Sequence, residues 1–290
     1  MSDPNSDSWS IKRVLAWATD DFKRRGNKTA RLDAELLLGE ALGFNRIQLI
    51  VQAERPLAEG ELSRYRELIK RRRVGEPIAY ILGRREFFAL PLVVDRRVLI
   101  PRPDTEILVE SALSGTLAQH LYGRMLDLCT GSGCVAIAFA KARPTWRVTA
   151  VDVSSDAASV ARENVRRAGV VHNLAVLEGD LFAPLPEGAR FELITANPPY
   201  IPSADIAGLD ADVRDFEPRL ALDGGADGLA VTRRIIAESP RYLSPGGLLA
   251  MEGGFDQAPR VAELLAAAGY TDITRAKDLA GIERVVTGRR

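Results

Sequence analysis

Apolar positions repeat with a helical period from Ser10 onward: Ile11, Val14, Leu15, Ala18 and Phe22 share one face, and Gly26 ends the run. The same pattern predicts helices over 30–42, with Leu36, Leu37 and Leu38 inside and Gly43 after it, and over 46–53, 59–73 and 77–82. Residues 1–83 therefore read as a small helical bundle, with residues 1–8 as a disordered tail. At Gly83 the character changes. "REFFALPLVVDRRVLIPRP" is rich in aromatic and β-branched residues and predicts a β-hairpin linker over 84–103, turning at Asp95-Arg96-Arg97. From there to residue 290, strands near 124–129, 147–152, 173–178, 191–196, 246–252, 271–276 and 282–288 alternate with helices over 104–119, 133–142, 155–168, 226–239 and 255–268. Alternating β and α predicts an open, mostly parallel α/β sheet. No helix separates the last two strands, which are therefore expected to pair antiparallel.

Composition narrows the function classes. The 290 residues carry 39 Lys+Arg against 39 Asp+Glu. A protein living on a phosphate backbone carries a basic excess, so nucleic acid is disfavoured as the main partner. The two cysteines, Cys129 and Cys134, and the two histidines, His120 and His172, have no zinc spacing, so no metal is expected, and so few cysteines fit a reducing cytoplasm. The polar start "MSDPNSDSWS" lacks a secretory signal, and no run of 18 apolar residues predicts a membrane span.

"MLDLCTGSGCVAIAFAKA" is a strand, a glycine turn and a helix. Glycines allow a tight turn and close ligand approach, and the helix start offers free N–H groups. Nineteen residues after Gly133 the next strand ends on Asp152, where a carboxylate can accept both ribose hydroxyls. Gly131-x-Gly133-x-x-Ala136 matches a dinucleotide fingerprint. With Asp127 four residues before Gly131, it also resembles motif I of S-adenosylmethionine (SAM) methyltransferases, in which the acidic residue lies near the methionine amino group. Just past the third strand, Asp180 and Leu181 stand where this fold class holds adenine.

"FELITANPPYIPS" begins as a buried strand and stops at Asn197-Pro198-Pro199-Tyr200. Consecutive prolines cannot continue a sheet; they fix two φ angles and restrict the residues before them. Asn197 then lies on the carboxyl rim of the sheet, where ligands of such folds bind. A held NH2 group has two hydrogens for the Asn197 side-chain oxygen and the Pro198 carbonyl to accept, and Tyr200 adds a flat face. Orientation and placed acceptors supply the catalysis, and the proton leaves after attack.

Asn-Pro-Pro-Tyr is shared by enzymes that methylate amino groups of adenine, of guanine in RNA and of protein glutamine. Among these, "RLDAELLLGEALGF" (31–44), "VGEPIAYILGRREFFALPLVVDRRVLIPRPDTE" (74–106), "EPRLALDGGADGL" (217–229) and "GIERVVTGRR" (281–290) resemble the release factor glutamine methyltransferases over nearly the whole chain. The resemblance implies a Rossmann-like class I SAM-dependent methyltransferase domain over 104–290, behind a substrate-recognition bundle and the hairpin linker. It implies a cytoplasmic, monomeric enzyme that methylates N5 of the glutamine in the Gly-Gly-Gln motif of peptide chain release factors, with no nucleic acid or membrane required. By the same resemblance Cys129, Thr130, Gly131, Ser132 and Gly133 form the SAM loop, Asp152 holds the ribose, Asp180 and Leu181 flank adenine, and Asn197, Pro198, Pro199 and Tyr200 bind the glutamine amide. Cys129 stands where Gly is frequent, and Leu181 where an aromatic can stack; both bear on affinity rather than chemistry. Arg102, Thr105 and Glu106 are expected either to close over the cofactor or to shape the hinge. The alternative is an adenine N6 or guanine N2 methylase using the same Asn-Pro-Pro-Tyr segment. It would need a basic groove, and the bundle offers one basic run, Lys70 to Arg73.

Overall fold

A computed structural model describes residues 9–117 and 121–290, in two compact units, Met1–Gly83 and Arg84–Arg290. The tail expected over 1–8, and residues 118–119 of the expected helix, lie outside the described residues.

The first unit is helical: α1 (Ile11–Arg24), α2 (Ala30–Leu42), α3 (Arg46–Val51), α4 (Glu59–Arg73) and α5 (Ile78–Leu82). Ser10 caps α1 by accepting from the Arg13 N–H, and Asn45 and Gln48 form a capping box on α3. Gly43 and Gly83 end α2 and α5 in the left-handed conformation that glycine favours. The core joins Ile11, Leu15 and Phe22 to Leu37, Leu38, Tyr65 and Ile69, and the Tyr65 hydroxyl donates to the Ala34 carbonyl at 3.1 Å. The basic run at the end of α4 is paired with carboxylates along its length, with Lys70 and Arg71 exposed and Arg72 turned in. Lys70 pairs with Glu67, Arg71 with Glu76 (2.7 Å), Arg72 with Asp33 (2.8 Å) and Arg73 with Asp21 (2.8 Å). The Arg73 hydrogen bond holds the Asp21 carboxyl below its ordinary range despite burial.

The second unit begins with a hairpin, β1 (Arg84–Phe87) and β2 (Leu90–Val93), antiparallel with Phe87 opposite Leu90. Its turn is therefore Phe88-Ala89, with φ of 50° and 57°, and not Asp95-Arg96-Arg97 as the residue types suggest. A two-residue turn with both φ positive matches strand twist. The Glu106 carboxylate accepts from the Phe88 N–H at 2.8 Å and holds that turn, while Asp95 builds a separate local turn by accepting from the Arg97 N–H at 3.0 Å.

After it come α6 (Glu106–Leu117), β3 (Arg124–Leu128), α7 (Cys134–Ala142), β4 (Arg147–Asp152), α8 (Ser155–Ala168), β5 (Leu174–Glu178), β6 (Phe191–Ala196), α9 (Ala211–Arg214), α10 (Ala230–Glu238), β7 (Leu243–Glu252), α11 (Ala258–Ala267), β8 (Thr271–Lys277) and β9 (Glu283–Arg289). The sheet order is β5-β4-β3-β6-β7-β9-β8, parallel from β5 to β7 and antiparallel at β7·β9 and β9·β8. Alternation within strands builds two cores. Met125, Val148, Leu193 and Ala250 pack under α6, α7 and α8; Leu126, Val151, Ile194 and Met251 pack under α10 and α11. β7 begins at Leu243, earlier than its sequence suggests, because Pro245-Gly246-Gly247 is taken up as a bulge between Phe191↔Leu243 and Leu193↔Leu248. The 226–239 helix starts only at Ala230, after a glycine-rich loop.

Candidate active site

β3 has β4 on one side and β6 on the other, so the order in which successive strands are added reverses between β3 and β6, although the two run parallel. Open α/β sheets bind ligands outside the carboxyl ends at such a switch point. There, among the described residues, a pocket of about 380 Å³ opens, of a size that suits a nucleotide-like ligand.

The turn after β3 is built for close approach. Cys129, Gly131 and Gly133 have φ of 56°, 55° and 82°, so Cys129 occupies a left-handed position where glycine is strain-free. Gly131 has open space where a Cβ would stand and lines the pocket. Thr130 N–H donates to the Val151 carbonyl (3.1 Å), which ties the turn to β4. Asp127 is 2% exposed, and its two oxygens accept from the Thr130 and Thr195 hydroxyls at 2.6 Å each. Burial pushes its carboxyl up to about 6, against those hydrogen bonds. Asp152 accepts from the Gly131 N–H (2.8 Å) and the Ser154 N–H (3.0 Å), and burial raises it too. Both carboxylates thus line the pocket already oriented. Burial likewise raises the Cys129 thiol, and pushes Cys134 up to about 12, so neither is poised as a nucleophile.

Asp180 lies at the pocket mouth and pairs with Arg234 of α10 at 2.8 Å. Leu181, with φ of 50°, is 6% exposed and lines the same wall. The Asn-Pro-Pro-Tyr segment follows β6 directly, and its far side is clamped by the loop before α10 and by Gln257 at the start of α11. Ile201 N–H donates to Leu222 O (3.0 Å), Gly224 N–H to Ile201 O (2.8 Å) and Gln257 Nε2 to Tyr200 O (3.0 Å). Glycine is required in that loop: a Cβ on Gly224 would stand 2.7 Å from the Pro199 carbonyl, and one on Gly228 would overlap the Tyr200 carbonyl. The Asn197 Nδ2 donates to the Thr105 hydroxyl at 3.3 Å. Next to them, the Glu252 carboxyl at the end of β7 is 4% exposed and pushed up to about 7 by burial, against hydrogen bonding from Thr105. Burial, then the Glu252 charge, pushes the Tyr200 phenol up to about 12.

Of the residues marked in the sequence, Cys129 to Ser132, Asp152, Asp180, Leu181, Asn197 and Pro199 line one pocket. Gly133, Pro198 and Tyr200 do not: Gly133 caps α7, and Pro198 is buried behind the rim. Arg102 lines the pocket and pairs with Glu217 at 2.7 Å, whereas Glu106 serves the hairpin turn. Sequence reasoning missed Arg234, Glu252 and Asn164. Asn164 is 1% exposed and joins the hairpin to the glycine turn by donating to the Val93 and Ser132 carbonyls while accepting from the Val93 N–H. Only its polar identity in the apolar stripe of α8 signals it. The residues present fit a SAM-sized polar ligand: the buried Ser132 hydroxyl has no partner among the described residues, and the space over Gly131 is open.

Comparison with known proteins bears on the chemistry. Residues 13–83 match the family described as "PrmC N-terminal domain", and residues 105–208 match "Methyltransferase small domain". The chain is 45% identical over 281 residues to a release factor glutamine methyltransferase from Geobacter sulfurreducens, covering 97% of each chain. It is 46% identical over 269 residues to one from Pseudomonas aeruginosa, covering 93% of this chain and 96% of that one. A solved methyltransferase from Pyrococcus furiosus shares the fold, with a TM-score of 0.51 at 19% identity, over 70% of this chain and 90% of that chain. A chain that aligns end to end with such relatives at this identity, and carries a sheet with its pocket at the β3–β6 switch point, belongs to the release factor glutamine methyltransferase family.

Proposed function

We propose that this enzyme transfers a methyl group from SAM to the N5 side-chain amide nitrogen of the glutamine in the Gly-Gly-Gln motif of peptide chain release factors. The observation that carries the site assignment is Asn197, held by Thr105 on the rim of the pocket formed by the glycine turn. SAM, when bound, supplies an electrophilic sulfonium methyl. Asp127 offers a buried negative charge for a cationic amino group, and Asp152 offers its remaining lone pairs to ribose hydroxyls. Asp180, steadied by Arg234, and Leu181 take the adenine. Asn197 Oδ1 and the Pro198 carbonyl accept the two amide hydrogens, which orients the nitrogen and raises its electron density as positive charge develops. The proton leaves to water after attack.

The helical unit recognises the protein substrate in this reading, and the enzyme works as a cytoplasmic monomer without nucleic acid. The burial of Arg72 against Asp33 and the pairing of Arg73 with Asp21 support a protein partner, since they take two of the four basic residues away from phosphates. No helix among the described residues is long and apolar enough to cross a membrane. Incubation with methyl-labelled SAM and a release factor should label the factor, and replacing the motif glutamine should abolish it. Labelling of DNA or RNA instead would sink the assignment.

A further inference from the structure

We propose that Glu252 is a positioning residue, whose buried carboxyl decides which end of the Asn197 side-chain amide faces the acceptor site. This deepens the reading of Asn197 above and rests on it. An asparagine amide turned by half a rotation swaps nitrogen for oxygen with little change of shape, so only its neighbours select the useful orientation. In the parallel pair β6·β7 the last matched residues are Ala196 and Met251. Asn197 and Glu252 follow them directly, on the face opposite the core that buries Ala196 and Met251. Thr105 stands there too: it accepts from Asn197 Nδ2 at 3.3 Å, and Thr105 and Asn197, as neighbours of the Glu252 carboxyl, favour its ionised form.

An ionised carboxylate only accepts, so it draws the Asn197 NH2 and repels the amide oxygen. Oδ1 is then left for the hydrogens of the incoming amide. A protonated carboxyl can instead donate to Oδ1. That turns the Asn197 NH2 outward, against the NH2 of the substrate. Glu252 is placed to do both: Oε2 is buried without a partner among the described residues, and burial brings its titration up to about 7. The charged and titratable groups facing it are Arg284, which favours the ionised form, Asp104, which opposes it, and Tyr200 and Cys134, which it pushes up in turn. Arg284 is itself engaged by Asp278 at 2.9 Å and Asp104 at 3.3 Å.

The test measures kcat at saturating SAM and release factor as a function of pH. The wild type should lose kcat as pH falls through about 7. Glu252→Gln, neutral throughout, should be a few-fold slower and lack that limb. Glu252→Leu should lose about a hundredfold in kcat with KM for SAM unchanged. An independent readout is the side-chain NH2 signal of Asn197 in the SAM complex, identified by its loss in Asn197→Asp. It should shift with pH over the same range in the wild type and stay still in Glu252→Gln. A limb that persists in Glu252→Gln, or a signal that does not titrate in the wild type, overturns the proposal, and neither readout needs Glu252→Leu to fold. Because the signal needs no release factor, a titrating Asn197 with no methyl transfer would sink the substrate assignment and leave the positioning role standing.

Discussion

In the proposed reaction Asn197 and Asp127 carry different roles, and each makes a different prediction. Asn197→Ala removes one acceptor aimed at developing charge, so turnover should fall by ~10²–10³ while calorimetry shows SAM binding retained. Surviving turnover would refute the acceptor role. Asp127 has a folded-state pKa raised from 3.8 to about 6, so the folded protein holds its proton more tightly than the unfolded chain. Stability therefore falls as pH rises from about 4 through about 6 and stays lowered above, by at most ~3 kcal/mol. Asp127→Asn should raise Tm in ligand-free protein at neutral pH, with the gain vanishing below pH ~4, and should weaken SAM binding at least tenfold. A lower Tm at neutral pH would show that the carboxylate is structural. Asp127, Asp152 and Asn197 were legible because each lies at or beside the carboxyl end of a strand, at a fixed distance from a glycine or proline signal. Arg234 and Glu252 were not, since one of two adjacent arginines on a helix and a Glu closing an apolar strand have no local pattern of their own.

At the scale of elements, the rim is made by two loops locked together. Gly228 has φ of 74° and no room for a Cβ beneath the Tyr200 carbonyl. Gly228→Ala should therefore displace Asn-Pro-Pro-Tyr and cut kcat more than tenfold, with the circular dichroism spectrum unchanged. Unchanged kcat would mean that the loop yields without moving the rim. The order of strands and helices was readable from periodicity, because each buries one face. The hairpin turn was not. Phe88-Ala89 contains no turn residue, and its left-handed conformation is stabilised from elsewhere, by Glu106 on the turn N–H and Asn164 on Val93. The bulge in β7 was hidden for the same reason: Pro-Gly-Gly reads as a turn until the neighbouring strand holds it in the sheet.

At the scale of the whole molecule, the helical unit depends on buried charge. Arg72 and Asp33 are 14% and 4% exposed, and Asp33 also accepts from Asn27 (2.6 Å) and Thr29 (2.9 Å). Arg72→Met leaves that carboxylate without its counter-ion, at a cost of about 3–5 kcal/mol. Limited proteolysis should then open sites within residues 9–83, with SAM binding kept and release factor methylation reduced. Adding Asp33→Leu should recover much of the loss. Equal proteolysis of both units would show that the loss is not confined to residues 9–83. The sequence by itself determined the two-part organisation, the alternating α/β order and the place of the rigid Asn-Pro-Pro-Tyr segment after a buried strand, because periodicity, glycine freedom and proline rigidity act within a few residues. Only the tertiary structure decided which groups meet across the sheet: Arg234 with Asp180, Glu252 beside Asn197, and the glycine loop against Tyr200. Those contacts join residues far apart in the chain, and they depend on strand order and register, which no local pattern encodes.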